Sequence, residues 1–173
     1  LSTKRIADIM TADGRKIDQK TVERYMSALC ETFFVYEAKR YNIKGRQLLK
    51  TLEKYYLVDM GLRRMLLGSR SFDAGRILEN VVYLELLHRQ KKVYVGKMDR
   101  LEVDFVAIDE NETTYYQVAA TVRDEATLRR ELASLQQIGD QYPKFILTLD
   151  DDPVADYDGI KRINALRWMM GKE

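Results

Sequence analysis

A helix followed by three strands, between residues 75 and 120, most constrains how this 173-residue chain can fold. Residues 75–87 place apolar side chains on most of the helix surface, which predicts a buried helix. Residues 93–95, 101–108 and 114–120 are rich in β-branched and aromatic side chains, which favour strands. A buried helix beside three consecutive strands predicts a mixed α/β fold.

Acidic and amide side chains lie at definite places on these elements. Glu79 lies inside the helix, Asp104 lies in the middle of the second strand, and Gln117 lies on the third. Because side chains alternate along a strand, Gln117 shares a face with Ala119, and Asp104 shares a face with Glu102. We therefore expect Glu79, Asp104 and Gln117 to converge at one end of the sheet.

This order of groups resembles the PD-(D/E)XK nuclease superfamily, in which a helix acid, a strand Asp and a strand Glu-x-Lys or Gln-x-Lys surround a divalent metal ion. The resemblance implies a restriction-endonuclease-like α-β-β-β-α-β domain with Glu79 and Asp104 as ligands of a Mg²⁺ ion. Glu79, Asp104 and Gln117 match the pattern. Ala119 stands where the pattern has the lysine that helps to activate the attacking water, which makes the site vestigial.

Two interpretations follow from the missing lysine. The first is a non-catalytic region that binds nucleic acid or a protein and does not cleave DNA or RNA. The alternative is an active metal-dependent nuclease that recruits a cation from elsewhere, with Lys97 on the first strand and Arg76 on the helix as candidates.

A wider set of motifs resembles the C-terminal half of DUF4143 proteins, which are prokaryotic AAA+ family ATP-binding proteins. The motifs are Lys54-Tyr55-Tyr56-x-x-Asp59-x-Gly61-Leu62, Glu79-Asn80-x-Val82, Glu102-Val103-Asp104-Phe105, Tyr116-Gln117-Val118 and Asp140-x-Tyr142-Pro143-Lys144. The resemblance implies a winged-helix domain at residues 1–60 and a nuclease-like domain at residues 61–173. The chain has no Gly-x-x-x-x-Gly-Lys-Ser/Thr loop, so we expect ATP only in an AAA+ module of the same polypeptide that lies outside this segment.

The N-terminal part carries its own helical and hairpin pattern. Two amphipathic helices are followed by a β-rich run at residues 32–38 and a returning run at residues 47–50, as in a winged helix. Residues 1–70 hold 15 Lys and Arg against 8 Asp and Glu, whereas residues 71–173 hold 14 against 19. A basic half of this kind predicts an anionic partner such as DNA, and the alternative is that the two oppositely charged halves attract each other.

Six basic residues of this part are the predicted nucleic-acid contacts. In a winged helix, one helix enters the major groove and the hairpin contacts phosphates. The predicted contacts are Lys20, Arg24, Lys39, Arg40, Lys44 and Arg46. The alternative is a scaffolding domain that packs on an ATPase and binds no nucleic acid.

The remaining sequence limits the cellular setting. No run is long and apolar enough to span a membrane, and no signal peptide opens the chain. Cys30 has no partner for a disulfide, which fits a reducing cytoplasm. We expect a cytoplasmic protein without a membrane partner, and the sequence leaves a homo-oligomer open. Residues 69–73 are predicted to form a linker, and the carboxylate run at residues 150–152 is predicted to form a solvated loop.

Overall fold

The computed structural model describes residues 3–68, 73–110 and 112–172. The helices are α1 (Thr3–Ala12), α2 (Gln19–Glu31), α3 (Met60–Leu67), α4 (Ala74–His88), α5 (Glu125–Gln136) and α6 (Ala165–Met169). The strands are β1 (Val35–Asn42), β2 (Gln47–Leu57), β3 (Lys92–Met98), β4 (Leu101–Ile108), β5 (Thr113–Val118), β6 (Lys144–Thr148), β7 (Ala155–Tyr157) and β8 (Ile160–Asn164). The predicted mixed α/β class is confirmed. Most of the predicted linker at residues 69–73 lies outside the described residues.

The eight strands form one sheet in the order β2-β1-β3-β4-β5-β6-β8-β7. β1 runs parallel to β3, and β6 runs parallel to both β5 and β8, while the other neighbouring strands are antiparallel. β6 therefore has neighbours on both sides. Along the chain, α4, β3, β4, β5, α5 and β6 follow one another.

Helices cover both faces of this sheet because its central strands are apolar on both faces. Tyr116 and Val118 of β5 pack in a core cluster with residues of α4 and α6, in which Trp168 is almost fully buried. Tyr115, from the same strand, packs in a second cluster with Leu132 and other residues of α5. Alternate side chains of β5 thus enter different clusters, which is the pattern expected of a strand buried on both sides.

The N-terminal hairpin joins the same sheet. Arg40 of β1 pairs with Val95 of β3, so the sheet runs across the boundary predicted near residue 60. The returning strand is longer than the predicted run at residues 47–50, since β2 continues to Leu57. This extension brings residues 54–57 to α4, where the Asn80 side chain accepts from the N–H of Leu57 and donates to its C=O.

Aspartate side chains begin four of the helices. The N-cap residues of α2, α3, α4 and α5 are Asp18, Asp59, Asp73 and Asp124, and each carboxylate accepts a hydrogen bond from a backbone N–H of the first turn. Such caps satisfy donors that have no partner within the helix. Within the described ranges, none of the helices has the length and apolar character that crossing a bilayer requires.

Candidate functional site

A β-bulge in β4 sets the direction of the Asp104 side chain. The register with β3 leaves two residues of β4, Asp104 and Phe105, opposite the single residue Val95. Beside the bulge the two strands approach so closely that a Cβ on Gly96 would lie 2.8 Å from Cβ of Val103. A bulge bends its strand and re-aims a side chain, and bulges are common beside active sites.

Asp104 also lies where β4 and β5 separate. The pairing of these two strands ends at Phe105 and Tyr116. Beyond that pair, Oδ2 of Asp104 accepts a hydrogen bond from the N–H of Val118 at 2.9 Å. Oε1 of Gln117 accepts one from the N–H of Asp104 at 3.2 Å. Side chains therefore replace the missing backbone bonds, and the carboxylate of Asp104 lies in the fork between the strands.

A lysine that the sequence motifs gave no role reaches this fork. Nζ of Lys54, on β2, lies 3.0 Å from Oε1 of Glu79, 2.7 Å from Oε1 of Glu102 and 3.8 Å from Oδ1 of Asp104. Tyr56, two residues further along β2, donates its hydroxyl to Oε1 of Glu79 at 2.7 Å. The ammonium group of Lys54 thus lies among three carboxylates.

A second cation belongs to the same cluster. Nη1 of Arg40 lies 2.5 Å from Oε2 of Glu102, and the Arg40 side chain is only 15% exposed. Arg40 was predicted to contact phosphates, but its guanidinium is largely buried and pairs with the carboxylate of Glu102. Three carboxylates and two cations leave a surplus of negative charge when all are ionised.

This surplus acts mainly on Asp104. Burial and the charge of Glu79 raise the pKa of Asp104 to about 7, although Lys54 and the N–H of Val118 act in the opposite direction. Burial also raises the pKa of Glu102, but hydrogen bonds and charges from Lys54 and Arg40 outweigh burial and hold it below its ordinary value. The two strand acids therefore differ in how readily they ionise.

The two other groups of the cluster keep their protons. Burial opposes the charge of Lys54, but Glu79, Asp104 and Glu102 outweigh burial and raise the pKa of its ammonium group. Burial and the neighbouring Glu79 raise the pKa of the Tyr56 hydroxyl. At neutral pH, Lys54 is therefore a hydrogen-bond donor and a fixed positive charge, and Tyr56 is a donor to Glu79.

Gln117 connects the fork to the opposite helix layer. Its Nε2 donates to Oε2 of Glu131 on α5 at 2.8 Å, and Glu131 is 6% exposed. Nη2 of Arg130 donates to Oε1 of the same carboxylate at 2.8 Å. Glu131 is thus a buried acid that faces Gln117, and the sequence gave it no role.

A cavity of about 540 Å³ opens between the two helix layers at this end of the sheet. Its lining includes all four residues of the predicted vestigial site, Glu79, Asp104, Gln117 and Ala119. Arg76 also lines the cavity, but its guanidinium pairs with Asp73 at 3.1 Å. Neither Lys97, the other cation considered for the lost lysine, nor Lys54 is among the lining residues, but Lys54 contacts the lining acids Glu79 and Asp104.

The donor set bears on whether a metal ion fits. Among residues 3–68, 73–110 and 112–172, no group of three or more His, Cys, Asp or Glu side chains is arranged to hold a metal ion. Glu79 and Asp104 offer two hard carboxylates, and burial together with the charge of Glu79 raises the pKa of Asp104. Mg²⁺ is commonly bound through one or two carboxylates together with water and phosphate oxygens. The pair therefore fits a weakly held, substrate-assisted ion.

The other predicted nucleic-acid contacts lie apart from Arg40. They are exposed on α2, on β1 and in the β1–β2 turn, in the order Lys20, Arg24, Lys39, Lys44 and Arg46. The turn residue Lys44 lies 3.9 Å from Asp99, and both side chains are largely exposed. We call these five exposed side chains the basic N-terminal surface; they are not among the ion pairs around Lys54.

Lys54 and Tyr56, to which the sequence motifs gave no role in the site, had a weak local signal. The run at residues 54–57, Lys-Tyr-Tyr-Leu, holds two tyrosines, which favour strands, and follows a β-rich hairpin. That pattern could have extended β2 and placed Lys54 and Tyr56 on one face. Glu131 gave no comparable signal, because an acid on an amphipathic helix is ordinarily exposed.

Comparisons with known proteins give relatives without an assigned activity. A model of a domain of unknown function, DUF8612, matches residues 1–73. An uncharacterized protein of Haemophilus influenzae is 35% identical over 166 residues, which cover 96% of this chain and 41% of that protein. The uncharacterized protein MJ1544 of Methanocaldococcus jannaschii is 29% identical over 115 residues, which cover 64% of this chain and 25% of that protein. The chain thus spans less than half the length of either relative, and no solved structure matches it.

The resemblance to DUF4143 and AAA+ proteins is wrong. The family whose model matches residues 1–73 is DUF8612, and the relative that covers nearly all of this chain is uncharacterized. The motifs that carried the resemblance are short and widely separated, so common strand and helix patterns are enough to produce them.

Proposed function

We propose that the cavity lined by Glu79 and Asp104, together with the Lys54 ammonium group that pairs with both acids, is a metal-dependent site that hydrolyses phosphodiester bonds of a nucleic acid. The observation that carries this proposal is the ammonium group of Lys54, 3.0 Å from Glu79 and 3.8 Å from Asp104. The main argument against catalysis was the methyl group of Ala119 in place of a lysine. Lys54 offers the same chemical group from another strand, which removes that argument.

The order of the elements and the irregular shape of β4 support the same proposal. The succession α4, β3, β4, β5, α5 and β6 matches the core order of PD-(D/E)XK nucleases. The acid on β4 lies at a bulge and at a strand fork, where backbone bonds are replaced by side-chain bonds. Irregular strands of this kind expose a carboxylate at a sheet end without leaving backbone groups unpaired.

Each residue of the cluster has a role in this chemistry. A divalent ion, when bound, supplies Lewis acidity toward a phosphate oxygen. Glu79 and Asp104 would hold it, while Lys54 orients the attacking water and balances the negative charge that develops on the phosphate. The raised pKa of Lys54 keeps it charged, so it acts as a donor rather than as a general base. Tyr56 fixes Glu79 by its hydrogen bond.

The basic N-terminal surface supports a polymeric substrate. Lys20 and Arg24 on α2, and Lys39, Lys44 and Arg46 on the hairpin, are exposed. Two helices and a hairpin in this order are shared with winged-helix domains. We propose that these residues contact phosphates outside the cavity, which adds affinity without sequence preference.

One observation favours a second candidate, a non-catalytic module that binds nucleic acid or a protein. Both ends of the Gln117 amide are engaged within the protein, by the N–H of Asp104 and by Glu131. In this arrangement the positive charge of Lys54 neutralises the carboxylates in place of a metal ion. The cavity would then bind a partner without cleaving it.

Cleavage assays separate the two candidates. Labelled single- and double-stranded DNA and RNA are incubated with the protein and Mg²⁺ or Mn²⁺, for the wild type, Lys54→Met and Asp104→Asn. We expect metal-dependent cleavage by the wild type and a loss of about 100-fold or more in each variant, as is typical when one charge-stabilising group is removed. Lys161→Met, which changes an exposed lysine on β8, is the matched control and should cleave as the wild type does.

Asp104→Asn separates a loss of cleavage from a loss of folding. It removes the acid that repels Glu79, so the variant should remain folded by circular dichroism. Wild-type protein that binds the oligonucleotides but does not cleave them, with any metal tested, would support the non-catalytic module and contradict hydrolysis.

A further inference from the structure

We propose that Glu131 is a positioning residue for the cavity, which fixes the amide of Gln117 and, through it, the backbone at Asp104. This inference rests on the proposed function, since the group that it positions belongs to the proposed site. Glu131 lies on α5, in the helix layer opposite α4 and Glu79.

The hydrogen bonds of Gln117 define its orientation. The N–H of Asp104 donates to Oε1 of Gln117 at 3.2 Å, and Nε2 of Gln117 donates to Oε2 of Glu131 at 2.8 Å. Gln117 is 8% exposed and Glu131 is 6% exposed, so water has little access to either bond. Reversal of the amide would bring its NH₂ group against the N–H of Asp104, with two donors facing each other.

The charge of Glu131 explains why this orientation is held. An ionised carboxylate only accepts hydrogen bonds, so it can pair with the NH₂ end of Gln117 but not with its oxygen. A glutamine or a water molecule in the same place could also donate, so the N–H of Asp104 alone would then select the amide orientation. Arg130 donates two hydrogen bonds to Oε1 of the same carboxylate, which leaves Oε2 to accept from Gln117.

The contacts then continue into the cavity. Asp104, fixed by Gln117 on one side and by the N–H of Val118 on the other, presents Oδ1 toward Lys54. Residues that orient a ligand of a metal site typically change affinity or activity by about 10- to 100-fold when they are replaced. Glu131 orients the metal-ligand candidate Asp104 in this way, because Gln117 is hydrogen-bonded to both residues.

Three variants test this role by two measurements. Glu131→Leu removes the acceptor, Glu131→Gln keeps the size but can donate, and Glu125→Leu removes an exposed acid of the same helix that pairs with Arg129. The first measurement is the hydrogen-exchange rate of the Asp104 backbone amide by NMR. The second is kcat and KM for cleavage with Mn²⁺.

We expect faster exchange at Asp104 and a kcat about 10- to 100-fold lower in Glu131→Leu. Glu131→Gln should show the same changes to a smaller extent, and it remains informative if the leucine variant fails to fold. Glu125→Leu should match the wild type in both measurements.

The outcomes separate this inference from the proposed function. Unchanged exchange at Asp104 in both Glu131 variants, or an equal loss of kcat in Glu125→Leu, overturns the positioning role. A wild type that does not cleave, with exchange at Asp104 still accelerated in the Glu131 variants, contradicts the proposed function and supports the link from Glu131 to Asp104.

Discussion

Two aspartates with little solvent exposure, Asp104 within β4 and Asp150 just after β6, have opposite electrostatic environments. Each accepts a hydrogen bond from a backbone N–H, Asp104 from Val118 at 2.9 Å and Asp150 from Val122 at 2.8 Å. The side chains are 14% and 5% exposed, so burial disfavours the charge of both. Yet the pKa of Asp104 is raised to about 7, whereas that of Asp150 is lowered.

Their neighbours account for the difference. Burial raises the pKa of Asp150 too, but the Thr121 hydroxyl, the N–H of Val122 and the nearby arginines outweigh it. Asp104 instead has Glu79 beside it and shares Lys54 with two other acids. Asp150 is a structural acid whose negative charge is stabilised by its hydrogen bonds and by arginines. The surroundings of Asp104 disfavour its negative charge, which is typical of functional sites. Replacing groups around each aspartate tests this contrast.

The largest expected effect on stability comes from Lys54→Met. The substitution leaves Glu79, Glu102 and Asp104 without the cation that they share, and unpaired buried charges of this kind cost about 3 kcal/mol or more. We expect the free energy of unfolding in urea to fall by that order. Lys161→Met is the control, and the double variant Lys54→Met/Glu79→Gln should recover part of the loss. A loss no larger than in the control would show that the three acids do not depend on Lys54.

Asp150→Ala should have the next largest effect. It leaves the hydroxyl of Thr121 and the buried N–H of Val122 without their acceptor, which costs about 2 kcal/mol. Urea denaturation measures this loss, and Asp151→Ala, at a side chain that is 77% exposed, is the control. Equal stability of the two variants would mean that Asp150 is not the structural acid described above.

Local sequence patterns predicted the elements around Asp104 better than the surroundings of Asp150. The helix bearing Glu79 and the strands bearing Asp104 and Gln117 were predicted because helical and strand periodicities are local properties of the sequence. The same patterns placed residues 150–152 in a solvated loop, but Asp150 is buried because Thr121 and Val122, 29 and 28 residues earlier, reach it. Contacts of this sequence separation leave no periodic signal.

Lys54 was missed for the same physical reason. Its place beside Glu79 depends on the parallel pairing of β1 with β3 and on the length of β2, which involve residues 25 or more positions apart. Lys97 and Arg76, the two cations considered for the lost lysine, lie on β3 and α4, the elements next to the predicted acids. The candidate acids were predictable from the sequence, whereas the cation and the buried partner Glu131 required the three-dimensional structure.

The pH dependence of stability should distinguish the two aspartates by sign. The folded-state pKa of Asp104, about 7, lies above the unfolded value of about 4, so the folded protein binds more protons in that interval. Its contribution therefore weakens stability progressively as the pH rises from about 4 to 7. Asp150, with its lowered pKa, strengthens stability above the unfolded value, and this contribution is lost as the pH falls through its folded pKa.

Unfolding free energies across this pH range check the assignment. Asp104→Asn should remove the decline between about pH 4 and 7, because an amide does not titrate there. The variant should also be at least as stable as the wild type at neutral pH. A decline that persists in Asp104→Asn would assign it to another group.

The smallest expected effect comes from Arg123→Ala, at the edge of the Asp150 environment. Nε of Arg123 lies 3.2 Å from Oδ2 of Asp152 and 3.6 Å from Oδ1 of Asp150, but its side chain is 65% exposed. Exposed ion pairs gain little, because water and salt screen them and ordering a long side chain costs entropy. Asp150 keeps its bonds from Thr121 and Val122 without this arginine. We expect a melting temperature close to that of the wild type, with any difference vanishing at high salt.

Arg40→Ala is the matched comparison, since its pair with Glu102 is largely buried and should be less sensitive to salt. A loss in Arg123→Ala as large as in Arg40→Ala would show that the charge of Asp150 depends on an exposed arginine, and that its environment resembles that of Asp104.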